Sequence, residues 1–373
     1  KGADVNKLDM YQNNPLNYAV GLYDYGTLCD IKRKNKEMPK LVNKLIEKQV
    51  NVGNINGISK LYPVHESIKN QYYDSHYLIR LRMYYVLNTN IPFIKETDEY
   101  KNLMTISIPP TQKVEALIRE VTAIEVMPRW RSLSSNEKWE KRPGSVVTTA
   151  DIEVEKFLSR ELPALLSGSV VVGEEMIEEH PAALDLLDGH APVWVLDAVD
   201  GTSNFARGSA DFGVMVALVL RRQTIAGWIF RPVDDVMYTS EKGAGAFRNG
   251  ERLKITPSPR DMADMVGSLG SYMRRNTDLP KLLARVTATR CIAVDYCALV
   301  DNNIDFAHYH GARAWDHAPG WLMHSEAGGY NQCIDDTKYL VGKPGEGGIL
   351  LATDREAWET LRAPIEEAVA TFR

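Results

Sequence analysis

Cysteine, long apolar runs and excess positive charge are what this chain of 373 residues has little of. Its four cysteines, Cys29, Cys291, Cys297 and Cys333, form no C-x-x-C pair, which argues against a disulfide framework and for free thiols. No apolar run approaches the ~18 residues that a membrane helix needs, and no charged-then-apolar leader is present, so the expectation is a cytoplasmic protein without membrane contact. The formal net charge of −5 and a pI near 6.0 leave no general basic surface, which removes phosphate neutralisation on nucleic acid as a leading role. The eight histidines include no H-x-x-x-H pair, so a structural zinc site is not expected. His308 and His310 alternate as residues on one face of a strand do, a packing pattern rather than a ligand pair. What remains is ordinary globular composition, 44% hydrophobic and 25% charged, in a chain long enough for two cores and suited to a small substrate.

Alanine is scarce in one part of the chain only. Up to about Met104 it occurs just at Ala3 and Ala19, lysine outnumbers arginine, and asparagine and tyrosine abound; afterwards Ala, Gly, Val and Arg dominate. The shift divides the chain into residues 1–104 and 105–373, with 106–110, which ends in Pro109-Pro110, as linker or first strand and Met104 as a candidate original start. In the first part, the run KGADVN from Lys1 and NPLNYA from Asn14 resemble the turn and helix start of an ankyrin repeat, and residues 41–48, Asn51-Val52 and YPVHES from Tyr62 resemble a second, degenerate copy. Two copies are fewer than the three or so that bury a continuous core, so this mostly helical segment reads as an incomplete array whose use would be to bind a protein partner. His65 reads as a turn-bonding residue, and Tyr72, Tyr73, Tyr77, Tyr84 and Tyr85 as packing surface.

From Thr111, expected as an N-cap, Val114, Leu117, Ile118, Val121 and Ile124 recur at helical spacing and stop before Pro128. Residues 129–144 are polar and read as a mobile loop, either simply solvated or closing over an anionic substrate. The run from Ser145 to Asp151 leads into a second amphipathic helix with Val154, Phe157 and Leu158 on one face, and Asp151 stands where a capping acid would. Val170-Val171-Val172 is a strand that delivers Glu174 and Glu175. Residues 212–220 and 224–230, then 236–239 and an Asn249-Gly250 turn, read as antiparallel strands, with Asp211, Asp234 and Asp235 as turn residues. An apolar helix over 293–300 and a strand over 305–309 precede Asp316, which opens a helix that stops at Gly328-Gly329.

The stretch WVLDAVDGTSNF, residues 194–205, organises this part. A buried apolar strand ends in Asp197 and Asp200, followed at once by a Gly201-Thr202 turn. Asp-x-x-Asp-Gly is common in surface turns. Placed at the end of a buried strand, however, the two acids need a compensating charge, and clustered oxygens suit a hard cation such as Mg²⁺, while turn N–H groups can face an anion.

Together with Glu174-Glu175 and the run from Trp315-Asp316 to Gly328-Gly329, this stretch resembles the inositol monophosphatase family of magnesium-dependent, lithium-sensitive phosphatases, over about residues 106–373. The resemblance implies an α+β fold, a layered αβαβα sandwich, commonly homodimeric. It also implies that Glu174, Asp197 and the Val199 carbonyl hold one Mg²⁺, that Asp197, Asp200 and Asp316 hold a second, and that Glu174 touches a weaker third. Gly201, Thr202 and Ser203 would bind the phosphate, and Thr202 with Asp151 would orient and deprotonate the attacking water. Two cations about 3.5–4 Å apart would neutralise the ester and stabilise the leaving alkoxide.

Three positions depart from the family pattern: Ala198 stands for a usual proline, Arg290-Cys291-Ile292-Ala293 for a Gly-Ser/Thr-Ala-Ala run, and Tyr309 for an acid that meets the substrate alcohol. Arg290 is open to two readings, a contact to a second anionic group or a structural ion pair. The expected function is a Mg²⁺-dependent phosphomonoesterase acting on inositol monophosphate or a related small alcohol or sugar phosphate. Histidinol-phosphate or bisphosphate hydrolysis, and a protein-interaction role through the ankyrin-like arm, are the alternatives.

Overall fold

The computed structural model describes residues 107–257 and 260–371; the ankyrin-like segment expected over 1–104, with His65 and its tyrosines, lies outside the described residues. Apolar spacing of three and four dictates the first layer. Helix α1 (Thr111–Val121) buries Val114, Ile118 and Val121, and α2 (Thr149–Leu165) buries Val154, Leu158 and Leu162, against Trp194, Val214, Val216, Leu218 and Trp228 of a sheet. Pro110 rather than Thr111 occupies the N-cap of α1, and the Thr111 hydroxyl instead accepts the indole N–H of Trp228 at 2.8 Å. Residues 107–110 form neither helix nor strand, although Ile108 packs against this core.

The polar stretch expected as a mobile loop holds one arm of a hairpin: β1 (Lys138–Arg142) pairs antiparallel with β2 (Ser145–Thr148). Sequence pattern missed it because β1, KWEKR, has almost no apolar residue to bury; ion pairs hold it instead, Lys141 to Glu175 and Arg142 to Glu178.

Seven strands form the main sheet in sequence order, β3 (Val170–Gly173), β4 (Val193–Asp200), β5 (Gly213–Leu220), β6 (Gln223–Arg231), β7 (Val236–Glu241), β8 (Gly245–Arg248) and β9 (Glu251–Arg252). The first pair is parallel and all later pairs are antiparallel. Between β8 and β9, Asn249 and Gly250 both take positive φ, the left-handed pair that a two-residue hairpin requires. Strand β5, GVMVALVL, is apolar almost throughout because helices cover both of its faces.

Short helices α3 (Glu174–Glu179) and α4 (Thr202–Ala206) follow β3 and β4 directly. A second sheet has the order β11-β10-β12-β14-β13, from β10 (Val266–Leu269), β11 (Arg285–Thr287), β12 (Phe306–Tyr309), β13 (Tyr330–Cys333) and β14 (Ile349–Ala352). After β10 comes α5 (Ser271–Asn276), while α6 (Ile292–Val300) and α7 (Ala314–Glu326) lie between the two sheets. Helix α8 (Arg355–Ala370) closes the far side, setting Ala357, Trp358, Leu361 and Ile365 against Phe306, Leu350 and Ala352. The described residues thus form the layered αβαβα sandwich expected for residues 105–373.

The seat of α7 on the main sheet fixes the position of Asp316. At Gly227 on β6, an added Cβ would lie 2.9 Å from the Pro319 Cα and 3.0 Å from its carbonyl oxygen, so helix and sheet meet backbone to backbone. Gly227→Ala is expected to push α7 off the sheet and lower unfolding free energy by about 1–3 kcal/mol. Urea denaturation checks this; an unchanged midpoint would show that the helix is not seated as described.

Candidate metal and phosphate site

In a regular strand, residues three apart face opposite sides. Strand β4 departs from that rule where it matters: Asp197 pairs with Met215 and Asp200 with Gly213, so three steps on β4 match two on β5. The extra residue is a bulge at Ala198-Val199, which re-aims Asp200 toward the side of Asp197 and takes Val199 out of the ladder. Gly201 follows at φ 83°, a left-handed backbone with no room for a side chain, since a Cβ would lie 2.8 Å from the Asp211 carbonyl and 3.2 Å from Cys291 Sγ. Helix α4 begins at once, and the first N–H groups of a helix have no acceptor within it.

Three other elements deliver their acids to the same place. Glu174 opens α3 at the end of β3, Asp316 is the third residue of α7, and Asp151 the third of α2. One carboxylate oxygen each from Glu174, Asp197 and Asp316 lie within 4.8 Å of one another, and among the described residues no other group of three or more His, Cys, Asp or Glu meets that geometry. Asp200 stands outside this trio: its Oδ2 accepts the Ala293 N–H and, at 3.0 Å, the Cys291 thiol, both from the start of α6.

Asp151 is both the expected cap and more. Its Oδ2 accepts the Thr148 N–H at 2.8 Å and the Thr148 hydroxyl at 2.6 Å, while Oδ1 faces the Thr202 hydroxyl at 3.0 Å. That hydroxyl also lies 2.9 Å from the Val199 carbonyl, and its single proton can serve only one of the two acceptors.

Burial dominates the electrostatics. It pushes the Asp151 carboxyl up to about 7 and Asp200 to about 6. Asp197 and Asp316 rise well above the usual carboxylate range, first from burial and then from neighbouring acids: Glu174, Asp200 and Asp316 around Asp197, and Asp200 and Glu174 around Asp316. Glu174 is also raised by burial, offset in part by Lys141 and Arg313. Those cations compensate poorly, because Lys141 pairs with Glu175 and Arg313 reaches only to 4.0 Å of Glu174. The donors are hard oxygens, and Cys291, its thiol pushed well up by burial, stays a neutral S–H donor rather than a thiolate ligand.

Several functional residues had no legible signal of their own. Glu155, one turn after Asp151 on α2 and buried, accepts the N–H groups of Glu175 at 3.0 Å and Met176 at 2.8 Å, which fixes the start of α3 and with it Glu174. The i, i+4 spacing from Asp151 is the only trace in the sequence. Tyr309, expected at the alcohol side, is 9% exposed; its hydroxyl donates to Asp295 at 3.1 Å and its ring lies against His317. Asp295 also accepts from Ser268 and Thr289 at 2.6 and 2.7 Å. Ser203 is half-buried on α4. Arg290 is exposed and makes no ion pair among the described residues, so the structural-pair reading of it falls away. His308 is buried with Nε2 at 2.9 Å from the Gly347 carbonyl, a packing role as expected.

Comparison with known proteins agrees with this fold. The model of the inositol monophosphatase family matches residues 110–370. An inositol-1-monophosphatase of Mesorhizobium japonicum is 31% identical over 204 residues, which is 52% of this chain and 74% of that protein. Inositol monophosphatase 1 of Sus scrofa is 26% identical over 62% of this chain and 83% of its own length. Among solved structures, a Thermotoga maritima IMPase superposes with a TM-score of 0.59 at 21% identity, covering 70% of this chain and 99% of that one. An IMPase/NADP phosphatase complexed with Mg²⁺ and phosphate does so at 0.56 and 18% identity, covering 68% and 95%.

Two expectations follow from the charges. Carboxyl groups raised in the folded state bind protons more tightly there than in the unfolded chain, so without cations Asp200, Asp151 and Glu155, raised by burial to about 6, 7 and 8, withdraw stability as pH climbs from the ordinary carboxylate range through those values. The buried His308, His317 and His324, lowered to about 4, 3 and 4, act oppositely and withdraw stability as pH falls below about 6.5. The gain in melting temperature on adding Mg²⁺ isolates the carboxylates, and it should be larger at pH 8 than at pH 5.5; equal gains would contradict the site. Separately, Glu155→Gln, which places an NH₂ group against backbone donors, should weaken Mg²⁺ affinity by about 10- to 100-fold as loss of a supporting shell does. Calorimetric titration reads this, and unchanged affinity would remove Glu155 from the site's support.

Proposed function

Because the chain belongs to the inositol monophosphatase family and is thus a phosphatase, a hydrolase acting on phosphoric monoesters, we propose that this site cleaves a small phosphate monoester with the help of two divalent cations, Mg²⁺ by the hardness of the donors. The observation that carries the reading is the convergence of Glu174, Asp197 and Asp316, with Asp200 beside them, in a buried place where nearby protein cations do not balance them. Glu174, Asp197 and the Val199 carbonyl would hold one ion, and Asp197, Asp200 and Asp316 the second. When bound, such ions neutralise the ester and lower the pKa of a bound water.

The chain's own residues account for the remaining work. The free N–H groups at the start of α4, Gly201 and Thr202 with Ser203 next, face an anion favourably and would hold the phosphoryl oxygens. Were the Val199 carbonyl to hold an ion, the Thr202 hydroxyl would donate its proton to Asp151 Oδ1 and leave a lone pair for the attacking water. Asp151, near 7, is suited to take that water's proton at neutral pH, while Thr148 keeps its other oxygen fixed. Phosphorus gains the water oxygen, the P–O bond to the alcohol breaks, and the alkoxide takes a proton from solvent. The named relatives point to inositol monophosphate or a related small alcohol or sugar phosphate, with the alcohol side altered by Tyr309 and by the run from Arg290 to Ala293.

Phosphate release from inositol 1-phosphate should require Mg²⁺ and be inhibited by lithium. Asp197→Asn should lower kcat/KM by more than the ~100- to 1000-fold typical of losing one electrostatic stabiliser. Asp235→Asn, in an exposed turn, serves as control. Substantial turnover by Asp197→Asn at saturating Mg²⁺ would sink the assignment.

A further inference from the structure

The loop between β11 and α6 carries a feature that phosphate hydrolysis itself does not use. Arg290 holds φ at 57°, in the left-handed region where an L side chain is strained, and its guanidinium is exposed without an ion pair among the described residues. Both of its chain neighbours are tied to the phosphate turn. On one side the Thr289 carbonyl accepts the Asn204 side-chain N–H at 2.8 Å, and Asn204 lies on α4. On the other, Cys291 donates its thiol to Asp200, and its Cβ lies 3.2 Å from where a Gly201 Cβ would stand. Arg290 is therefore the residue at the crest of a loop pinned at both feet to the elements that would hold the phosphate.

Two more guanidinium groups bind residues beside this loop. Arg207, exposed, donates to Asn204 Oδ1 at 2.7 Å, the side chain that also binds Thr289, and Arg274 donates to the Thr287 carbonyl at 3.1 Å. Neither makes an ion pair among the described residues; the Arg274 charge acts on Asp295, while Arg290 and Arg207 leave exposed positive charge next to the acidic site. Asp295, on α6 just after this loop, is buried, and Ser268, Thr289 and Tyr309 donate to its oxygens. A polyol would find few acceptors there, since the Tyr309 hydroxyl is committed to Asp295 and its ring to His317.

We propose that the leaving alcohol of the true substrate carries a second anionic group, a phosphate or a carboxylate, which Arg290 binds with Arg207 and Arg274 adding to the local positive potential. This rests on the phosphomonoesterase reading above and narrows its substrate class. A strained, unpaired arginine at that position is what such a contact requires: its five N–H donors suit a forked oxyanion, and the pinned loop sets it in place beforehand.

Paired substrates test this. Glycerol 3-phosphate and 3-phosphoglycerate differ by an alcohol against a carboxylate, and inositol 1-phosphate and inositol 1,4-bisphosphate by one phosphate. In at least one pair the wild type should show a kcat/KM about tenfold or more higher for the more anionic member, mainly through KM, as one charge-assisted contact would give. Arg290→Gly, which accepts the left-handed backbone without strain, should collapse that ratio toward one; Arg290→Lys should keep part of it, and Arg285→Ala, outside the loop, all of it. Which pair responds tells a carboxylate from a phosphate. A ratio equal in wild type and Arg290→Gly, with hydrolysis still occurring, overturns this proposal alone, whereas release of phosphate from none of the four compounds overturns the phosphomonoesterase reading with it.

Discussion

Mutual repulsion among buried carboxylates is the constraint around which the described part of this chain is built. Asp197, Asp316, Glu174 and Asp200 each sit where burial already disfavours charge, and around Asp197 and Asp316 the neighbouring acids disfavour it further. A fold retains such an arrangement against its own stability only if something else compensates it, and the nearby Lys141 and Arg313 do so incompletely. These four acids come from three separate elements, α3, β4 and α7, so the layered sandwich is in effect a device for holding them together.

Each delivering element is locked by a contact that has little to do with the acid itself. The bulge in β4 follows from its register against β5, the start of α3 is gripped by Glu155, α7 meets the sheet at Gly227, and Thr148 fixes Asp151. The site is therefore rigid where it would bind cations and phosphate. On the alcohol side, the Asp295 network and the pinned loop bearing Arg290 are equally fixed, with a different chemistry from a polyol pocket.

How much of this the sequence discloses depends on whether a feature is local. Strand ends such as VVVGEE and VWVLDAVD, and the Asn249-Gly250 hairpin, are legible because an apolar run, an acid and a turn residue are adjacent in the chain. The bulge at Ala198-Val199 is not, since it exists only relative to β5. Strand β1 escaped notice because ion pairs rather than apolar burial hold it. Thr111 looked like a cap and is instead a hydrogen-bond acceptor for Trp228, more than a hundred residues away. The commitment of Tyr309 to Asp295, and the lack of an ion pair for Arg290, likewise depend on residues brought near only by folding.

The central claim is that cations, not protons, are the natural counter-charge of these acids. Anomalous diffraction from crystals of the full chain soaked in Mn²⁺ at pH 7.5 tests it most directly. The account predicts one peak bridging Glu174 and Asp197 near the Val199 carbonyl, and a second among Asp197, Asp200 and Asp316. Mn²⁺ bound elsewhere with the acid cluster left without density would contradict it.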